Sequence, residues 1–266
     1  METKDYYLIE SQPEPAAEKP MPFAGHLEEL RARLIRVILY LSLGMTLCWI
    51  FYQPILVLIE RPLLETLRQI GGTIQVLKVL EPFMMRAQTS LIGGLVLVLP
   101  FILLELWGFV KPGLTKRERA VMRTFPLVIF FLFLSGVAFG YWMAPVFFKW
   151  LLSQSFVLPG MKVQLQIQDA VLFMVKLLLA FGLGFQMPVV IVTLNRLGIL
   201  PAEVLVGRWR EATMVIFTMA AIITPTWDPL SMFITAVPLA LLYIGTLGVI
   251  KLLDRRKPKP DAVIND

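Results

Sequence analysis

The chain has 266 residues, of which 57% are hydrophobic and 17% are charged. A soluble domain would be about 45–50% apolar and about 25% charged, so the composition excludes an ordinary soluble protein. The apolar residues come in runs of the ~20 residues that a helix needs to cross a bilayer. With Cys48 and His26 each the only residue of its type, an internal disulfide is excluded and a metal site is not expected. The composition therefore predicts an all-α integral membrane protein without metal or cofactor.

The chain divides into two polar ends and an apolar middle. Residues 1–22 are acidic and lack the basic start and apolar core of a signal peptide. We predict a disordered cytoplasmic tail there, a six-helix transmembrane domain over residues 23–251, and a cytoplasmic tail over residues 252–266. Residues 26–36 carry leucines at helical spacing opposite charged residues, which predicts an amphipathic helix leading into the first span. The six predicted spans cover about residues 34–53, 84–110, 120–148, 169–194, 211–223 and 230–251.

Prolines mark ends or kinks of several predicted spans. Pro54 and Pro62 are expected at the far end of the first span, and Pro100 and Pro238 are expected to kink the second and sixth. Residues 60–81 are expected to be a polar connection, with a short strand or extended run in its second half. The fifth span reaches only about 20 Å, so we predict that the last two spans are a short hairpin that thins the bilayer or packs against partners.

The positive charges predict the orientation of the chain. Eighteen of the 25 lysines and arginines fall on the side that holds both ends, and six fall on the other. Because positive residues stay in the cytoplasm, both termini are predicted to be cytoplasmic. This distribution accounts for the net charge of +6 without a nucleic-acid partner.

The common enzyme signatures do not occur in the sequence. There is no His-Glu-x-x-His pair, no serine in a Gly-x-Ser-x-Gly turn, and no phosphate-binding glycine loop followed by a lysine. Gly182 and Gly184 in the fourth span are better explained by close helix packing. We therefore predict no catalytic residues.

The most informative loop lies between the second and third spans. Glu118 is its one carboxylate, among five basic side chains from residue 111 to residue 123. Each such charge costs about 2.5–3.5 kcal/mol at the centre of a bilayer, so the segment must lie at a membrane surface. Glu29, in the amphipathic helix, is predicted at the same surface. Two carboxylates on neighbouring segments suit a ligand with two adjacent arginines.

Each of these acids also has a simpler interpretation. Glu29 is spaced to pair with Arg33, and Glu118 with Lys111 or Arg119, as surface ion pairs worth under about 1 kcal/mol each.

Three further polar residues, in or near the predicted spans, are candidates for a functional or structural role. Glu105 lies in the apolar part of the second span, where an ionisable residue indicates a functional site unless it pairs with an arginine near the interface. Gln186 in the fourth span is not expected to share one path with Lys176, because the two are on different helical faces. Asp228, at the tip of the last hairpin, is predicted to cap a helix or form a turn.

Four motifs occur along the chain: HLEELRARL at residues 26–34, FVKPGL with KRER at residues 109–119, FGLGFQMP at residues 181–188, and TP with a following aspartate at residues 224–228. They resemble those of TatC, the receptor subunit of the twin-arginine protein translocase. They occur in the family's order across about residues 23–251. Each motif is weak alone, and together they are specific.

This resemblance implies a glove-shaped six-helix receptor in the cytoplasmic membrane of a bacterium or archaeon. The receptor would bind twin-arginine signal peptides, form homo-oligomers, and work with single-span TatA- and TatB-type subunits to export folded proteins using the proton-motive force. By position, the resemblance implies a signal-peptide site formed by Glu29, Glu118, Arg31, Arg119, Phe109 and Leu114. It also implies partner docking near Pro62, Thr224 and Asp228.

The chain departs from the family pattern at Gln186, where many relatives have a glutamate. A glutamine keeps the hydrogen bonds but cannot titrate, so we hypothesise that Glu105 supplies the buried carboxylate instead. Met232 and Ala221 also differ from the common residues, which leaves Thr224 as the clearest remnant of the docking patch.

The alternative function is a secondary transporter of a small solute. Such transporters often contain two similar halves with broken helices at matching positions. Spans two and three are predicted to be long and spans five and six short, which does not favour such a repeat.

Overall fold

The structure, a computed structural model, describes residues 23–110, 124–152, 163–223 and 229–255. Within these ranges the chain forms nine helices and two short strands. The helices are α1 (Phe23–Ile50), α2 (Tyr52–Ile70), α3 (Glu81–Val110), α4 (Phe125–Leu151), α5 (Ile167–Gly184), α6 (Met187–Arg196), α7 (Ala202–Gly207), α8 (Trp209–Ile223) and α9 (Pro229–Arg255). The strands are β1 (Thr73–Gln75) and β2 (Gln164–Gln166). The tail predicted at residues 1–22 lies outside the described residues.

Five helical stretches in the described part are long and apolar enough to cross a membrane. They are Glu28–Ile50, Glu81–Phe109, Phe125–Leu151, Ile167–Arg196 and Pro229–Leu252. The shorter helix α8, which is the fifth span in chain order, brings the number of spans to six, and the predicted six-helix membrane bundle is confirmed. The 15 residues of α8 extend about 22 Å, which agrees with the short fifth span.

The prediction that the sixth span is also short is wrong. The helix α9 has 27 residues and continues through Pro238 to Arg255, beyond the predicted end of the transmembrane domain. In a membrane helix, neighbouring groups can compensate for the hydrogen bond that a proline removes, so Pro238 does not end the helix.

The end of the first span is also corrected. The first helix stops at Ile50, and Pro54 and Pro62 lie inside α2 rather than marking the end of the span. Residues 60–70, predicted as a polar connection, therefore belong to a helix. The prediction failed because the charged residues of α2 alternate with a buried stripe at helical spacing, formed by Ile59, Leu63 and Leu67.

The two strands join the segments that follow α2 and precede α5. They pair in parallel, with Thr73 opposite Gln164 and Gln75 opposite Gln166. The backbone N–H of Thr73 also donates to the carbonyl of Val163 at 3.0 Å. The expected extended run is thus a regular strand only over Thr73–Gln75.

Close packing at glycines places the central helices. A Cβ atom at Gly136 in α4 would lie 2.5 Å from the carbonyl oxygen of Phe181 in α5. A Cβ at Gly182 would lie 2.6 Å from Phe133, and one at Gly184 would lie 2.7 Å from Leu239 in α9. The packing role predicted for Gly182 and Gly184 is confirmed, and α5 contributes much of the buried core.

The helices α1 and α3 cross at a second pair of glycines. A Cβ at Gly94 would lie 2.6 Å from the backbone nitrogen of Met45, and one at Gly44 would lie 2.7 Å from the carbonyl oxygen of Gly94. The rings of Trp49 and Phe83 meet at 6.2 Å beyond this crossing. The two helices are therefore antiparallel, and the start of α1 lies beside the end of α3.

The carboxylate of Glu81 organises the turn before α3. It is 2% exposed, and its Oε2 accepts hydrogen bonds from the backbone N–H groups of Leu77 and Lys78 at 2.8 and 3.1 Å. We expect Glu81→Ala to lower the free energy of unfolding by about 1–3 kcal/mol, because two backbone N–H groups lose a charged acceptor. Thermal unfolding of the protein in detergent measures this, with Glu65→Ala at an exposed position of α2 as the control. Equal melting temperatures for the two variants would contradict the expectation.

Candidate functional site

Charged side chains meet where the start of α1 lies beside the end of α3. On α1, the polar positions recur at intervals of four, three and four residues, which places them on one helical face. They are Glu29, Arg33, Arg36 and Tyr40. On α3, Phe101, Glu105 and Gly108 share a face for the same reason. The ring of Tyr40 lies 6.2 Å from that of Phe101 and extends the contact towards the bilayer.

The carboxylate of Glu105 lies between two arginines of α1. Its Oε2 accepts a hydrogen bond from Nη1 of Arg33 at 3.0 Å, and its Oε1 accepts one from Nη1 of Arg36 at 2.8 Å. The hydroxyl of Tyr40 lies 3.4 Å from the same Oε1. The side chain of Glu105 is 11% exposed, so these partners compensate for the water that it has lost. The predicted alternative for Glu105, pairing with an arginine, is confirmed.

The guanidinium of Arg33 links the two acids. Its Nη1 also donates to the backbone carbonyl of Glu105 at 2.9 Å, while Nε and Nη2 donate to Oε1 of Glu29 at 3.1 and 2.6 Å. The guanidinium lies against Gly108, where an added Cβ would collide with Nη1. A side chain at position 108 would therefore displace the guanidinium of Arg33 from its present position against α3.

Only one oxygen of the Glu29 carboxylate accepts hydrogen bonds from the described residues. The predicted ion pair with Arg33 is present, but both of its hydrogen bonds end on Oε1. The other oxygen, Oε2, is shielded from solvent and has no hydrogen-bond partner among the described residues. A buried acceptor left without a donor costs about 1–3 kcal/mol, more when it is charged. This oxygen is therefore ready to accept a hydrogen bond from a ligand.

The remaining members of the predicted binding site are only partly described. Arg31 is exposed on α1, and Phe109 is half-buried at the end of α3. Leu114, Glu118 and Arg119 lie outside the described residues. The flanks of that loop are close together, because the rings of Trp107 and Phe125 are 4.9 Å apart. Both flanks lie at the end of α3 that carries Glu105.

Gln186 lies in a separate, apolar environment. It is 5% exposed, precedes α6, and donates from Nε2 to the carbonyl of Ile129 at 3.2 Å. It lines a cavity of about 250 Å³, whose walls include Leu103, Leu106 and Trp107 of α3 but not Glu105. The structure thus brings Glu105 to the arginines of α1 and not to the cavity of Gln186.

Of the three predicted docking residues, the described part of the chain contains Pro62. Pro62 is buried in α2, where its carbonyl accepts a hydrogen bond from the hydroxyl of Thr66 at 2.9 Å. Thr224 and Asp228 lie outside the described residues. No group of three metal-binding side chains occurs in the residues that the structure describes.

The linking role of Arg33 and the space left by Gly108 were not predicted. A signal for them exists in the sequence, because Arg33 and Arg36 follow Glu29 on one face and Gly108 follows Glu105 on one face. Recognising it requires the alignment of α1 against α3, which the spacing within each helix does not provide.

The sequence of this chain matches a known protein family. The family model for the Sec-independent protein translocase protein TatC matches residues 25–238. The TatC protein of Xylanimonas cellulosilytica is 36% identical over 254 residues, covering 95% of this chain and 91% of that protein. The TatC protein of Deinococcus radiodurans is 36% identical over 243 residues, covering 90% and 88% respectively.

A solved structure has the same fold. A crystal structure of the twin-arginine translocase receptor TatC superposes with a TM-score of 0.75 at 29% sequence identity. The match covers 86% of this chain and all of that one. The similarity therefore extends over most of this chain.

Proposed function

Because this chain belongs to the TatC family of Sec-independent protein translocases, we propose that it is a twin-arginine translocase receptor that binds signal peptides through Glu29 and Glu118. The chain is a membrane component of a protein translocase, and it works with other Tat subunits. Its role is that of a receptor rather than a catalyst. The likeness to TatC proteins does not favour a small-solute transporter.

The observation that supports the proposal is the unpaired oxygen of Glu29. Its Oε2 has no donor among the described residues, although the adjacent Oε1 receives two hydrogen bonds from Arg33. A guanidinium presents five N–H donors in a planar fork, which suits it to a carboxylate oxygen that lacks a donor. An arginine of the signal peptide would satisfy this oxygen.

The second arginine of the ligand requires a second acid nearby. Val110, the last residue described before the loop, lies five positions after Glu105, or about 7 Å along α3. The loop that carries Glu118 therefore begins beside the Glu29 network. Arg31, Arg119, Phe109 and Leu114 would complete this surface.

The orientation and partners follow from charge and exposed apolar surface. The excess of positive charge supports both termini in the cytoplasm of a bacterial or archaeal cell, where cargo proteins fold before export. The short helix α8 exposes a line of apolar side chains, including Met214, Val215 and Ile222, next to the segment that contains Thr224. That surface suits the single apolar helix of a TatA- or TatB-type subunit. We propose further that the receptor acts as a homo-oligomer and that transport uses the proton-motive force.

Photocrosslinking tests the site directly. A twin-arginine signal peptide with a photoreactive residue beside its arginine pair should crosslink to residues 26–33 and 109–119 of the membrane-embedded receptor. The same peptide with two lysines should crosslink weakly, because a lysine lacks the planar fork. Glu118→Ala should abolish the crosslinks. Unchanged crosslinking in that variant, or crosslinks elsewhere on the chain, would refute the site.

A further inference from the structure

Two acids and two arginines form one connected network between α1 and α3. Glu105 bonds both Arg33 and Arg36, and Arg33 also bonds Glu29. In this network of described residues the charges balance, two against two. The carboxylate of Glu29, whose Oε2 is unpaired, is therefore connected to Glu105 through the guanidinium of Arg33.

We propose that Glu105 is a positioning residue for signal-peptide recognition: by holding Arg33, it leaves Oε2 of Glu29 without a donor, so that this oxygen can accept a hydrogen bond from the arginine of the ligand. The inference rests on the proposed function, because it concerns the same carboxylate. It gives Glu105 a role that requires neither proton transfer nor contact with the cavity of Gln186.

The geometry of Arg33 supports this role. An isolated arginine and carboxylate tend to pair with two parallel hydrogen bonds, one to each carboxylate oxygen. Here Nη1 of Arg33 is held by both the carboxylate and the backbone carbonyl of Glu105, at 3.0 and 2.9 Å. The remaining donors, Nε and Nη2, converge on Oε1 of Glu29 alone. The anchor on α3 thus prevents Arg33 from covering both oxygens of Glu29.

The charge balance supports it independently. Without the negative charge of Glu105, Arg33 and Arg36 would face Glu29 as the only acid of the network. The excess positive charge would repel an arginine-bearing ligand, since like charges at such distances repel strongly in a partly desolvated site. Without Glu105 to hold it, Arg33 would also pair with both oxygens of Glu29. Both effects lower the affinity for the signal peptide without any loss of a direct contact.

Binding measurements on the full-length protein in lipid nanodiscs test the proposal. The dissociation constant of a fluorescent twin-arginine signal peptide should rise about three- to tenfold in Glu105→Gln, a typical coupling between contacting charged residues. Glu105→Gln combined with Arg36→Gln should recover part of the affinity, because the charges balance again. Glu211→Gln is the matched control, since it breaks an exposed ion pair with Arg208 at 3.3 Å and should leave the dissociation constant unchanged.

A second variant covers the case in which Glu105→Gln does not fold. Gly108→Ala keeps all four charges but puts a methyl group where the guanidinium of Arg33 lies. It should also weaken peptide binding severalfold, with a melting temperature measured alongside. Wild-type or tighter binding in folded Glu105→Gln, or in folded Gly108→Ala, would overturn the proposal.

The controls separate this inference from the proposed function. If the wild-type protein does not distinguish the twin-arginine peptide from its twin-lysine form, or if Glu29→Gln binds normally, the proposed site itself is wrong. If Glu29→Gln loses binding while Glu105→Gln keeps it, only the positioning role of Glu105 is wrong.

Discussion

Glu29→Gln is expected to weaken the binding of a twin-arginine signal peptide by about 10- to 100-fold. A hydrogen bond to a charged group contributes about 1.5–3 kcal/mol, and each 1.4 kcal/mol changes a dissociation constant about tenfold. The glutamine keeps the size of the side chain but removes its charge. It also leaves Glu105 as the only acid facing Arg33 and Arg36, so the network carries a net positive charge beside the incoming arginine. Fluorescence anisotropy with the labelled peptide, at fixed ionic strength, measures the effect.

Glu28→Gln is the matched control for this change. Glu28 precedes Glu29 on α1 and is exposed. The substitution Glu28→Gln therefore removes the same charge from almost the same place. We expect its dissociation constant to stay within about twofold of the wild-type value, as is usual for exposed charges screened by salt. Equal losses in both variants would mean that the ligand senses the general field of the surface and not the unpaired oxygen of Glu29.

Gly94→Ala is expected to lower the free energy of unfolding by about 1–3 kcal/mol, the usual cost of inserting atoms into a well-packed contact. The added methyl carbon would lie 2.6 Å from the backbone nitrogen of Met45. Backbone atoms cannot rotate away as the end of a side chain can, so α1 and α3 must separate. Thermal unfolding of the purified protein in detergent measures the loss.

Gly93→Ala, one position earlier, should be tolerated. Its methyl carbon would lie 3.7 Å from Sγ of Cys48, which is an ordinary contact, and alanine favours a helix by about 0.5–1 kcal/mol over glycine. A destabilised Gly93→Ala with an unaffected Gly94→Ala would contradict the antiparallel crossing. Gly94→Ala should also weaken peptide binding, because moving α1 from α3 separates Arg33 from Glu105.

Most of the spans could be predicted from sequence because the need to bury backbone polar groups in lipid acts on each segment separately. The start of α3 and the extent of the fourth span follow from local apolar runs, whereas the break between α5 and α6 was not predicted. The helix α2 could not be found in this way. Its apolar stripe is buried by other helices rather than by lipid, so its polar residues look like those of a loop.

The candidate site divides in the same manner. An acid near a membrane interface indicates a function through its residue type alone, so Glu29 could be identified in advance, and the family resemblance added a ligand. The bonds of Arg33 depend on which turn of α1 lies beside which turn of α3. That alignment is set at Gly44 and Gly94, far from the site in the sequence. The role of Glu118 remains a prediction.

The parallel pairing of β1 with β2 has a consequence for how the chain matures. The two strands are separated by the complete helices α3 and α4, so β1 has no partner until both have been synthesised and inserted. At translation rates of about 5–20 residues per second, β1 waits for several seconds as an unpaired edge outside the bilayer. The strand has only three residues and ends near the turn held by Glu81. Such a short edge offers other chains little backbone to pair with during this interval.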